Sequence, residues 1–149
     1  WFGASLFRLS IALFAFVGLS LLLVGCVYLS LSQFMPYHAE ALQLDWNSLD
    51  ANFQGLILGF LKGLGSGAFV AGTTVLWMAG KSLRESPRPF VVLMPFVATS
   101  YSSLLCFATY TVYANTPGNP PLLLNFLLVV ASVLASVALA VSRRDVAGK

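Results

Sequence analysis

From Leu9 to Leu29 the chain reads LSIALFAFVGLSLLLVGCVYL. No residue in this run is charged, and its polar side chains are mainly Ser10 and Ser20. A helix that crosses the hydrocarbon of a bilayer needs roughly 20 such residues in a row. The run predicts a first membrane span from about Leu6 to Leu31, and three more apolar stretches follow at about Phe53–Met78, Pro89–Val112 and Pro120–Val141. Four spans with short connections take up nearly all 149 residues, which leaves no length for a soluble catalytic domain within them. Composition agrees: 58% of residues are hydrophobic and 9% are charged, against about 25% charged in an ordinary soluble domain. The expected fold is an all-α integral membrane protein, four transmembrane helices in an antiparallel bundle.

The connections orient that bundle. GKSLRESPRP, after the second span, holds Lys81, Arg84 and Arg88 against Glu85, and the C-terminal tail holds Arg143, Arg144 and Lys149 against Asp145. The first loop has no Lys or Arg, and YANTPGNPP before the fourth span has no charge. Positive residues stay on the cytoplasmic side, so both termini are expected inside and the first and third loops outside. Arg8 agrees, and Trp1 and Phe2 read as interface anchors. The first run is read as a retained span, because it is too long for a cleavable signal and shows no small-residue cleavage site. The net charge of +3 does not point to nucleic acid: the basic residues are few, flank apolar spans and form no stripe.

The first outer loop, SQFMPYHAEALQLDWNSLDAN, holds the single histidine, His38, and the acids Glu40, Asp45 and Asp50. Pro36 suits a first helical turn, where its missing N–H costs nothing. Met35, Ala39, Leu42 and Trp46 recur at helical spacing, which predicts a short amphipathic helix on the membrane surface. Asp50 is placed to cap the next helix. Pro95 is expected to kink the third span, with the freed carbonyl satisfied by neighbouring helices.

Two features of the second span stand out. Gly55, Gly59, Gly63 and Gly67 recur every four residues and Ala71 extends the row, so all five share a helix face. In lipid such a face lets another backbone approach closely. Packing against a helix of the same chain is the first expectation, and docking to another subunit is the functional alternative. Lys62 sits among apolar residues, about nine residues inside the outer end, or roughly 13 Å along the axis. An intramembrane lysine either snorkels to the headgroups or marks a site. The second reading puts a polar pocket around Lys62 that opens outward, with Tyr101, Asn125 and His38 as further ligand-binding candidates and an anionic or carbonyl-bearing ligand.

No arrangement for catalysis or metal binding emerges. The chain lacks G-x-S-x-G, H-E-x-x-H, C-x-x-C and phosphate-loop patterns, and one histidine beside Glu40 is short of the three or four ligands a metal requires. Cys26 and Cys106 read as small buried hydrophobes; both fall in the outer half, where a disulfide is geometrically allowed.

The stretch from Phe34 to Gly72, FMPYHAEALQLDWNSLDANFQGLILGFLKGLGSGAFVAG, resembles small four-helix bacterial inner-membrane proteins of the DoxX-like type. The resemblance rests on Met35-Pro36-Tyr37-His38 in an outer loop, then on Lys62 followed by Gly63, Gly65 and Gly67 in the second span. It implies the fold and the bacterial inner membrane, and no activity.

The leading functional expectation is a non-catalytic structural or accessory subunit of a larger membrane complex, with other membrane subunits and lipids as partners. No cofactor is expected, although an aromatic content of 13% leaves room for contact with lipid, quinone or pigment. The alternatives are a small transporter or ligand-binding protein built on Lys62 and, with least support, an enzyme acting on a lipid or quinone.

Overall fold

The computed structural model describes residues 2–85 and 89–147, with side chains from Gly3 to Arg143 within those segments. Trp1, Arg88, Lys149 and the side chains of Phe2, Arg144 and Asp145, on which part of the anchor and orientation reading rests, lie outside the described residues. The chain forms α1 (Phe2–Ser30), α2 (Pro36–Leu42), a single 3-10 turn (Trp46–Ser48), α3 (Ala51–Arg84), α4 (Phe90–Asn115) and α5 (Leu122–Ala147), with no strand among the described residues. Four of these helices are long and apolar enough to cross a membrane: Gly3–Ser30, Ala51–Arg84, Phe90–Asn115 and Leu122–Arg143.

Local chemistry sets the ends. The Asp50 carboxylate accepts from the backbone N–H groups of Asn52 at 2.8 Å and Phe53 at 3.1 Å, so it caps α3 as its sequence position suggests. At the other end α3 continues past Met78 to Arg84. Lys81 and Arg84 complement the negative end of the helix dipole there, and Lys81 pairs with Glu85 at 2.9 Å. Pro36 opens α2. The helix closes sooner than its apolar spacing implies, because Gln43 turns left-handed at φ 54° and Leu44 N–H bonds back to the Ala39 carbonyl. Trp46 therefore belongs to the separate 3-10 turn and not to the face of α2. Gln54, in the first turn of α3, donates to the carbonyls of Trp46 and Leu49 and holds that turn in place.

The long helices pack as a ring: α1 lies along α3 and α5, and α4 closes the ring between them. Later residues of α3 meet earlier residues of α1: Gly65 lies against Tyr28, Phe69 against Gly25 and Gly72 against Gly18 and Leu22. Buried positions recur at alternating spacings of three and four. On α3 they include Gly65, Ala68, Gly72, Val75, Ala79 and Ser82, and on α5 Asn125, Leu128, Ser132, Ala135, Leu139 and Ser142. A repeat of 3.5 residues keeps one seam facing its neighbour in left-handed helix packing.

The residues that allow the closest approach are not the expected row. A Cβ on Gly25 would lie 2.5 Å from the Phe69 nitrogen, and one on Gly72 would lie 2.4 Å from the Leu22 nitrogen. On the expected row only Gly67 and Ala71 pack inside the chain: Gly67 faces the Tyr101 phenol and Ala71 is in the core. A Cβ at Gly55, Gly59 or Gly63 would meet nothing within 4 Å. The expectation that the whole row packs against this chain is corrected accordingly. Both cysteines are free, but neither is buried as expected: Cys26 is exposed and Cys106 is half-buried.

Candidate functional site

The sequence candidates gather only in part, at the end of the bundle where α1 stops and α3 starts. Tyr28, in the last turn of α1, shares a hydrogen bond between hydroxyls with Tyr37 of α2. Gly118, in the loop between α4 and α5, lies where a Cβ would be 2.6 Å from the Tyr37 carbonyl, so α2 rests against that loop. Beneath it is a cavity of about 80 Å³ whose lining includes Tyr28, Tyr37, His38, Leu64, Leu105 and Thr109. Thr109 accepts from the Asn125 side-chain nitrogen at 2.6 Å and donates to the Leu105 carbonyl at 2.8 Å. Tyr101 donates to the Leu64 carbonyl at 2.8 Å. His38 thus lines this cavity together with Thr109, the partner of Asn125, and Tyr101 is joined to its wall through Leu64. Ser102, one residue along from Tyr101, has a buried hydroxyl oxygen without a partner.

Lys62 is elsewhere. It is exposed, and its ammonium donates to the Leu29 carbonyl at 3.2 Å. Leu29 is among the last four residues of α1, whose carbonyls have no acceptor role left inside the helix. The lysine therefore satisfies one of those carbonyls and sets a positive charge at the negative end of the α1 dipole. Gly65 packs against Tyr28 and Leu29, so Ala51–Leu61 runs past the end of α1 by roughly 16 Å of helix. Lys62 lines neither the cavity at Tyr37 nor the cleft at Trp46, both at this end of the bundle.

His38 has a role that its sequence position half reveals. Its Nδ1 accepts the Met35 N–H at 3.1 Å, reaching back across the first turn of α2 as a capping-box residue does. The ring packs on Tyr37 with centroids 4.0 Å apart. Burial lowers the pKa of His38 below the ordinary 6.5, and burial first, then the bond to Tyr28, raises that of Tyr37. Protonation of Nδ1 also removes the acceptor from the Met35 bond. With the folded pKa depressed, the contribution of His38 is present above pH 6.5 and is lost as the pH falls through the folded value. Amide exchange is base-catalysed and slows as the pH falls from 7 to 5; relative to that intrinsic rate, exchange at Met35 is expected to show an excess as its bond to the imidazole is lost. His38→Gln keeps an acceptor at this capping position and should abolish that excess; the same excess in the variant would clear the imidazole of responsibility.

Two further open clefts lie on the surface of the described residues. One, of about 640 Å³ between α4 and α5, is almost entirely carbon-lined and includes Cys106, Phe107, Tyr110 and Phe126. The other, of about 600 Å³, lies between the exit of α1 and the 3-10 turn and includes Phe34, Asp45 and Trp46. No group of three His, Cys, Asp or Glu side chains able to hold a metal is present among the described residues. The class is thus set by the helices: an all-helical chain with four segments long and apolar enough for a multi-pass membrane protein. No family model, curated protein or solved structure matches the chain.

Proposed function

We propose that the protein is a non-catalytic accessory subunit of a larger membrane assembly, and that it docks through the outer half of α3. In this reading the four long helices cross a bacterial inner membrane as an antiparallel bundle with both termini cytoplasmic, and α2 lies at the outer interface. Loop charges support the orientation, and the DoxX-like resemblance supports the compartment.

One observation carries the docking reading. From Ala51 to Leu64 no residue of α3 is buried, yet the segment is apolar and carries three glycines that its own chain leaves open. Phe53 and Phe60 beside them are 58% and 71% exposed. Each glycine in a helix interior costs about 1 kcal/mol relative to alanine, and a lipid-facing position returns nothing for it. A partner helix does, because close backbone approach is a main source of association energy between helices in lipid. The groove between α4 and α5 is read as lipid-facing, and no cofactor is assigned to it.

The test is native purification in mild detergent, with partners identified by mass spectrometry. The wild type should comigrate with a large complex. Gly63→Leu has open space for its side chain, so the subunit should fold while co-purification falls about tenfold, the equivalent of 1.4 kcal/mol of lost contact. A wild type found only as a monomer or small homo-oligomer, or a variant that co-purifies undiminished, would sink the proposal.

A further inference from the structure

The cleft between the exit of α1 and the 3-10 turn has a composition that selects a ligand. Phe34 is buried and meets the Trp46 ring edge-on, with centroids 5.0 Å apart, which fixes the indole at the wall of the cleft. Gln33, Asp45 and Asn47 join the same lining. Asp45 stands at the N-cap of the 3-10 turn, but its carboxylate makes no capping bond, and it has no ion-pair partner among the described residues.

The surroundings make this a site for positive charge. Leu31–Asn52 contains Glu40, Asp45 and Asp50 and neither Lys nor Arg. Asp50 is committed to the start of α3 and the Lys62 ammonium to the end of α1. His38, whose ring lies 6.5 Å from that of Phe34, accepts at Nδ1 and so holds a neutral imidazole. A carboxylate attracts a cation, an indole face attracts it further, and the carboxamide oxygens of Gln33 and Asn47 can accept from an ammonium N–H. A neutral polyol would find the carboxamides and gain nothing from the charge.

We propose that this cleft binds an organic ammonium group, presented by a free solute or by a lipid headgroup. The ligand sign is opposite to the one expected for a pocket around Lys62, and the proposal does not depend on the accessory-subunit reading.

The full chain is reconstituted in phosphatidylglycerol nanodiscs and titrated calorimetrically with choline, with ethylammonium and with 3,3-dimethylbutanol, the uncharged isostere of choline; empty discs are the blank. Saturable uptake of at least one ammonium, no uptake of the isostere, and a loss of about tenfold or more in Asp45→Asn are expected. The Asp45 side chain makes no contact that the fold needs, so the variant should melt as the wild type does. Repetition in discs containing phosphatidylethanolamine separates the sources: suppressed uptake assigns the headgroup, and unchanged uptake assigns the free solute. Equal binding of the isostere, undiminished binding by Asp45→Asn, or no saturable uptake of either ammonium in the phosphatidylglycerol discs would overturn the proposal.

Discussion

Gly72→Ala is expected to lower stability by about 3 kcal/mol, the upper end of the usual overpacking range. The added methyl would stand 2.4 Å from the Leu22 nitrogen and 2.6 Å from the Gly18 carbonyl oxygen. These are backbone atoms of α1, so no rotamer change relieves the clash. The two helices must separate, and Val75, Met78 and Ala79 on the same seam lose contact with the core of α1. Gly63→Ala is the matched control. Its methyl meets nothing within 4 Å, and alanine is the better helix former by about 0.5–1 kcal/mol, so the isolated subunit should gain slightly. Unfolding by SDS in mixed micelles reads both. A Gly72→Ala subunit as stable as the wild type would refute the close packing of α1 on α3.

That contrast also marks what the sequence could reveal. The four long helices were legible because the bilayer needs about 20 apolar residues whatever their neighbours are. Asp50 was legible because a cap acts on N–H groups two and three residues away. Which glycines pack was not, since that depends on the partner helix. The four-residue row is the more regular pattern, while the glycines at which α1 and α3 approach closely are spaced seven apart along each helix, Gly18 and Gly25 on α1 and Gly65 and Gly72 on α3. The seven-residue spacing was in the sequence, and it is the spacing that left-handed packing uses. Lys62 illustrates a deeper limit. Its partner is a backbone carbonyl at the end of another helix, and carbonyls carry no sequence label. No acid or hydroxyl in the sequence marks it. The cleft at Trp46 was hidden for a related reason: Gln43 ends α2 without the glycine that usually marks a left-handed cap.

Phe14→Ala is expected to cost about 2 kcal/mol in a membrane-mimetic solvent, and the size of the loss is itself diagnostic. Phe14 is fully buried, in the cluster that includes Val17, Leu21, Val75 and Met78. In a water-soluble core the same truncation costs about 3–5 kcal/mol, the sum of a transfer term and a cavity term. When separated helices remain in lipid, the phenyl ring leaves one apolar medium for another and the transfer term nearly vanishes. The cavity term survives: at about 24 cal/mol per Å³, a void of roughly 80–100 Å³ comes to about 2 kcal/mol. Phe107, on α4 and 68% exposed, leaves no cavity when truncated, and Phe107→Ala should be near neutral. A loss close to 5 kcal/mol at Phe14 would mean that the ring is removed from water on folding, contrary to a membrane-embedded bundle. A loss near zero would mean that the seam at Phe14 is not packed. A value near 2 kcal/mol with a silent Phe107 requires both the packing and the lipid reference.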